Sequence, residues 1–91
     1  MQKLVIVRIN YDAMRETWNG GKAADAPLSE LQHYLAISGL KPWCDGEHVA
    51  RMADLHEQLQ PIEYEILRDV PLPERVRARK LLAQDPFATS C

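Results

Sequence analysis

The chain has 91 residues, of which 46% are hydrophobic and 26% are charged, and its formal net charge at pH 7 is −2. This length supports one hydrophobic core, so we expect a single small domain over residues 1–91. The balance of 11 basic against 13 acidic side chains excludes a protein that binds nucleic acid through a basic charge spread over its whole surface, although a local basic patch is compatible with it.

The cysteine count and the length of the apolar runs predict where in the cell the protein is located. The two cysteines, Cys44 and Cys91, are too few for the disulfide framework of a small secreted domain, so we expect reduced thiols and a cytoplasmic location. The N-terminal apolar run LVIV is too short for the core of a signal peptide. It is also far shorter than the ~20 apolar residues of a membrane-spanning helix, so we expect no membrane partner.

The first predicted element is a strand over about residues 3–11, where β-branched residues fill both alternating faces at the start of the segment. One face stays apolar throughout, whereas the other turns polar at Arg8. The strand should therefore be buried on both sides early and on one side late. A short helix capped by Asp12 follows, and the small residues of 20–27 predict a flexible loop.

Two helices are predicted in the middle of the chain. The first covers about 29–39, with a capping box that begins at Ser29 and a left-handed residue at Gly39 that ends it. The second covers about 46–60, and Asp45 has the position and the side chain of its N-cap. Both helices place apolar residues along one side, as helices on a core require.

The last third predicts a strand and a third main helix. Residues 62–70 alternate apolar and acidic side chains, which is typical of a strand with one wet face. The helix covers about 73–84, with Pro73 in its first turn, and 85–91 is expected to be a loose C-terminal tail. Trp43, in the link before the second helix, is expected to close the core.

These elements predict an α+β domain. A short two-stranded sheet, about 3–11 and 62–70, packs with three main helices, about 29–39, 46–60 and 73–84. Two strands alone are marginally stable in water, so either helices cover both faces or a second copy of the chain extends the sheet. Homodimerisation is therefore a hypothesis, because a second copy would stabilise the two-stranded sheet.

The stretch PWCDGEHVARMADLHEQL, residues 42–59, holds the side chains with the most reactive chemistry. A thiol-dependent enzyme would use Cys44 as nucleophile at a helix start and His48 as its base. No third orienting residue and no oxyanion turn accompany them, so this is the least favoured alternative. His48 and His56 would lie ~12 Å apart along a helix, too far for one ion, and we expect no metal, no cofactor and no catalytic activity.

The segment ERVRARKLL has the most distinctive charge pattern, because it contains four bases and only one acid. As a helix it places the cations on an outer arc, opposite a core-facing arc of Ala78, Leu81 and Leu82. Such a face binds an acidic protein surface or nucleic-acid phosphates, or it pairs with the chain's own acidic stretch from Asp45 to Glu65. The residues assigned to partner binding are Arg75, Arg77, Arg79, Lys80, Asp54 and Glu57.

The favoured function is therefore a small non-catalytic protein-binding module that regulates or inhibits a larger protein complex, including a complex of a host cell. The first alternative is a nucleic-acid-associated regulator that uses the same basic C-terminal helix. Steep weakening of binding with salt would distinguish it. The second alternative is the enzyme at Cys44 and His48.

Overall fold

The computed structural model describes residues 3–17, 24–58 and 63–84, and of residues 56–58 only the backbone. Within these ranges the strands are β1 (Leu4–Ile9), β2 (Lys41–Pro42), β3 (His48–Arg51) and β4 (Tyr64–Asp69). The α-helices are α1 (Tyr11–Thr17), α2 (Leu28–Ile37), α3 (Met52–Gln58) and α4 (Arg75–Ala83). A 3₁₀ turn, Leu72–Glu74, leads directly into α4.

The strands form one antiparallel sheet in the order β2-β3-β1-β4. In the central strand β1, Val5 lies opposite Ala50 of β3 and Asp69 of β4. The apolar run of β1 explains its position, because a central strand that is covered on both faces needs apolar side chains on both faces. The register with β4 shifts between Ile6 and Val7, so β4 contains a β-bulge.

Helices cover both faces of the sheet. Helices α1, α2 and α3 cover the first face, whose core consists of Val5, Val7, Ile9, Met14, Leu31, Leu35, Leu40, Ala50 and Leu55. Helix α4 covers the second face, whose core consists of Leu4, Ile6, Trp43, Val49, Val70, Ala78, Leu81 and Leu82. Trp43 is only 7% exposed, so the prediction that it closes the core is confirmed.

The second face of β1 changes character along the strand, as the sequence predicts. Leu4 and Ile6 are buried in the core beneath α4, whereas Arg8 is exposed. Arg8 pairs across the strands with Glu65, with 3.8 Å between Nη1 and Oε2. Helix α4 therefore covers one half of this face, and paired charges lie on the other half.

The predicted two-stranded sheet with three main helices is wrong. The described residues form a four-stranded antiparallel sheet with four α-helices, and only the general α+β class is retained. The predicted strands 3–11 and 62–70 correspond to β1 and β4. Strand β2 has two residues, too few for any periodicity to reveal. Because the sheet has four strands and helices on both faces, the physical argument for homodimerisation no longer applies.

The predicted helix over 46–60 is wrong in its first half. His48–Arg51 form β3, and the helix begins only at Met52. The four residues pair with β1 and partly with β2, so hydrogen bonds to distant strands decide their conformation over local helix propensity. Residues 59 and 60 lie outside the described part of the chain.

Asp45 is a turn residue and not an N-cap. Asp45 and Gly46 have φ angles of 58° and 75°, the two consecutive left-handed residues of a type I′ hairpin turn. The Glu47 N–H donates to the Cys44 carbonyl at 3.0 Å, which closes the turn between β2 and β3. The dipeptide Asp-Gly is a strong hairpin signal, and it was available in the sequence.

Helix α2 ends as predicted but begins differently. Gly39 has a φ angle of 98°, and the Leu40 N–H donates to the Leu35 carbonyl at 2.8 Å, which confirms the left-handed C-terminal residue. At the other end Pro27 occupies the N-cap position without a side-chain hydrogen bond. The capping box predicted at Ser29 is therefore not formed.

The remaining predictions fall partly outside the described residues. Residues 20–23 of the predicted loop and the whole predicted tail 85–91 lie there, whereas Ala24 and Asp25 form a turn. The predicted last helix is divided into the 3₁₀ turn, which contains Pro73, and α4. Among the described helices, none has the length and apolar character needed to cross a bilayer.

Candidate functional site

The outer side of α4 carries strongly exposed aliphatic side chains. Ala78, Leu81 and Leu82 are buried on its inner side, which confirms the predicted core-facing arc. On the outer side Val76 is 59% exposed, and Leu72 of the preceding 3₁₀ turn is 73% exposed. Leu72 precedes Val76 by four positions, across the junction between the 3₁₀ turn and α4.

Three cations border these aliphatic residues. Arg79 and Lys80 are exposed and Arg75 is half-buried, and none of the three forms an ion pair with any described residue. Their charges are therefore not neutralised by the part of the fold that is described. We call this surface the basic ridge and define it as Leu72, Arg75, Val76, Arg79 and Lys80.

Arg77 differs from the other cations of α4. Its guanidinium lies 4.2 Å from the ring centroid of Trp43, and its Nη2 is 3.4 Å from Glu74 Oε1. A cation over an indole face is attracted by the ring quadrupole. Arg77 thus covers the second core, and it is not part of the basic ridge.

The acidic stretch of the chain pairs with cations outside α4. Both Glu47 oxygens accept hydrogen bonds from Arg68, at 2.9 and 3.2 Å. These hydrogen bonds hold the pKa of Glu47 below its usual value, against the opposing effect of burial, and the Coulombic attraction of Arg68 and Arg8 lowers it further. Asp54 pairs with Arg51 at 3.9 Å. Among the described residues, the cations of α4 therefore do not pair with the acidic stretch from Asp45 to Glu65.

The six residues predicted to bind a partner do not form one surface. Asp54 lies in α3, which covers the first face of the sheet. The basic ridge is the outer surface of α4 and the preceding 3₁₀ turn, on the second face. The side chain of Glu57 lies outside the described residues. Sequence reasoning also missed Leu72, because it precedes the predicted helix start, although its four-residue spacing from Val76 was a usable signal.

Cys44 and His48 are not brought together. Cys44 packs beside the second core, whereas His48 points to the first face and contacts Tyr11. Cys44 is also disulfide-bonded, contrary to the expected reduced thiol, so its sulfur is not a thiolate in this state. The argument that led from reduced thiols to the cytoplasm is thereby removed.

His48 is a buried polar group with incomplete hydrogen bonding. It is 3% exposed, its Nε2 shares a 3.3 Å hydrogen bond with the Tyr11 hydroxyl, and its Nδ1 has no partner in the described part of the chain. Burial lowers the pKa of His48 to about 4, so the imidazole is neutral at pH 7. Burial also raises the pKa of Tyr11, and a hydrogen bond with Gln32 offsets part of that shift.

The described residues offer little for small-molecule or metal chemistry. No group of three or more histidine, cysteine or acidic side chains among them is arranged to hold a metal ion. An open depression of about 290 Å³ lies at the end of β1 and β4, beside Arg8, Asn10 and Tyr64. Its volume is at the lower limit for ligand pockets, and its Arg8 and Glu65 already pair with each other.

Comparisons with protein-family models, with curated proteins and with solved structures found no match to this chain. The assignment of a site therefore depends on the geometry alone. Of the surfaces described above, the basic ridge combines exposed apolar side chains with cations that have no counter-ion among the described residues. That combination is what an association surface needs.

Proposed function

We propose that this chain is a non-catalytic protein-binding module that contacts an acidic protein surface through the basic ridge. The exposure of Leu72 and Val76 beside cations that form no ion pair within residues 3–17, 24–58 and 63–84 is the observation that carries the proposal. Burying these two side chains against a partner removes apolar area from water. Carboxylates on the partner would at the same time neutralise the three cations and steer the approach.

The aliphatic residues favour a protein over a nucleic acid as partner. Protein contacts with nucleic acid are dominated by phosphate and sugar groups, which offer polar atoms to cations and hydrogen-bond donors. The three cations of the basic ridge, on a chain of net charge −2, would provide only a weak phosphate contact. Exposed leucine and valine side chains at the centre of the surface would remain uncovered in such a complex.

We propose a regulatory or inhibitory role for this contact. The chain would act by occupying a site on a larger protein complex, and a host complex is included among the candidates. The cytoplasm remains the proposed compartment, with the disulfide at Cys44 as the observation against it. Differential alkylation of Cys44 in cells tests this point: a reduced thiol supports the cytoplasm, and an oxidised one contradicts it.

Site-specific photo-crosslinking tests the proposed function. A photoreactive amino acid replaces Val76 in one variant and the exposed Ser29 of α2, on the other face of the sheet, in the matched control. We expect a discrete protein adduct from position 76 that is absent at position 29 and is lost when Arg79→Glu is added. Equal adducts at both positions would contradict the proposal.

The alternative that the three cations of the basic ridge bind nucleic acid is tested separately. Light scattering coupled to size-exclusion chromatography, with and without duplex DNA at low and high salt, measures it directly. We expect no DNA-dependent shift in mass. A shift that disappears steeply with salt, and that Arg79→Glu abolishes, would replace the protein partner by a nucleic acid.

A further inference from the structure

The basic ridge, together with the exposed Ala83 near the end of α4, includes residues at the spacing of a helix-packing seam. Val76, Arg79 and Ala83 are separated by three and four positions, which keeps them on one side of α4. The exposed Leu72 precedes them in the 3₁₀ turn, which leads directly into α4 through Glu74, with φ and ψ angles of −102° and −3°. The seam therefore runs along about 15 to 20 Å of helical surface.

The cations lie on both sides of this seam. Arg75 follows one edge and Lys80 the other, while Arg79 lies within the seam between Val76 and Ala83. An apolar line bordered by charges of one sign is the pattern by which one helix selects another of opposite charge. The outer surface of α4 is convex, so it packs against a second helix, ridges into grooves, more readily than around an extended peptide.

Arg79 has a special place in this arrangement. A helix that covers the seam would exclude water from its guanidinium, and a buried cation without a partner is costly. A carboxylate on the partner would satisfy it with two parallel hydrogen bonds. Lysine cannot reproduce that geometry.

We propose that the basic ridge docks an acidic amphipathic α-helix of a partner protein, and that Arg79 selects a carboxylate at the centre of the contact. This inference depends on the proposed function and states the chemistry of the partner. The seam is short, so the affinity should be in the range of weak, transient complexes.

Synthetic peptides provide the test on the intact chain. The first probe is a helical peptide with a leucine stripe flanked by glutamates, the second has the same composition with leucine and glutamate mixed around the helix, and the third is polyglutamate. Binding is measured by fluorescence anisotropy and mapped by amide chemical shifts. We expect the first probe to bind at least roughly tenfold more tightly than the others, with shifts concentrated between Leu72 and Ala83.

Variants of two arginines on opposite faces of the sheet separate the seam from general charge attraction. Arg79→Gln should weaken the first probe at least roughly tenfold, the loss typical of a central interface arginine, and Arg79→Lys should recover only part of it. The control is Arg15→Gln, which removes one positive charge on α1, at the first face of the sheet. Equal losses in Arg79→Gln and Arg15→Gln, or equal binding of all three peptides, would overturn the inference.

Two further results are distinguished by the same materials. If no peptide binds while crosslinking at position 76 still captures a protein, the helical partner is wrong and the proposed function stands. If no peptide binds and crosslinking at position 76 captures no protein, both the helical partner and the proposed function are wrong. Binding of vesicles with anionic phospholipid, but of no peptide, would replace the helix by a membrane surface.

Discussion

Arginines on the two sides of α4 have different surroundings. Arg77 lies over Trp43 and next to Glu74, whereas Arg79, two residues later, is exposed and makes no ion pair with the described residues. The first contributes to the fold, and the second is available to a partner. Neighbouring residues of one type in a basic run can thus have opposite roles, and only the tertiary contacts distinguish them.

The largest expected effect comes from the inner side of α4. Leu81 is 3% exposed within the second core, and Leu81→Ala should lower the free energy of unfolding by about 2 to 5 kcal/mol because it leaves a cavity. Urea denaturation followed by circular dichroism measures this change. Val76→Ala on the outer side is the matched control and should change stability by less than about 0.5 kcal/mol. Similar losses in both variants would remove the distinction between the two sides.

On the opposite face of the sheet, protonation of His48 should lower the free energy of unfolding by nearly as much as Leu81→Ala does. The pKa of His48 is about 4 in the folded chain and about 6.5 when unfolded. Because the unfolded chain binds the proton more tightly, stability is complete above pH 6.5 and declines as the pH falls towards 4. The full loss is about 3 kcal/mol.

Denaturation at a series of pH values tests the role of His48. The window between pH 6.5 and 5 is the most informative, because carboxylates contribute more strongly at lower pH. His48→Gln should flatten the profile in that window. An unchanged slope in His48→Gln would mean that another group titrates.

A smaller effect should follow from the cation over the indole. Arg77→Ala should lower the free energy of unfolding by about 0.5 to 1 kcal/mol, since it removes the contact with Trp43 at a partly exposed site. It should leave the photo-crosslinking yield at position 76 largely unchanged. Loss of crosslinking without loss of stability would place Arg77 in the basic ridge and contradict the comparison above.

The smallest expected effects concern paired and unpaired surface charges. Glu47→Gln removes the partner of Arg68 and should lower the urea midpoint slightly at low salt, with the difference shrinking at high salt because salt screens the half-exposed Arg68. Arg79→Gln should leave the midpoint unchanged at both salt concentrations. A salt-dependent midpoint change in Arg79→Gln would reveal an internal counter-ion for the basic ridge.

Some of the fold could be predicted because the relevant interactions are local. The LVIV run predicted a buried strand, Gly39 predicted the end of α2, and the spacing of Ala78, Leu81 and Leu82 predicted the inner side of α4. Each of these signals depends on side-chain periodicity or on the backbone freedom of one residue. They act within a few positions, so they are readable without knowing which segments meet.

The errors concern segments whose conformation depends on distant partners. Residues 48–51 carry an acceptable helical pattern, but they form β3 because β1 and β2 supply hydrogen bonds to them. The Asp-Gly dipeptide is a local signal of that hairpin, and the same Asp45 also fits the N-cap of a helix, so the local pattern does not distinguish the two. Cys44 and His48 face opposite sides of the sheet because this segment forms a hairpin and not the start of a helix.

The sequence by itself therefore determined that α4 has a cationic outer side and that β1 is buried. The tertiary structure alone decided which arginines contact distant residues, because Arg77 reaches Trp43 and Arg68 reaches Glu47 only through the folded sheet. It also exposed Leu72 and Val76, which adds apolar side chains to a run of charges. Contacts between remote segments and burial in the core are set by distances that a linear pattern does not contain.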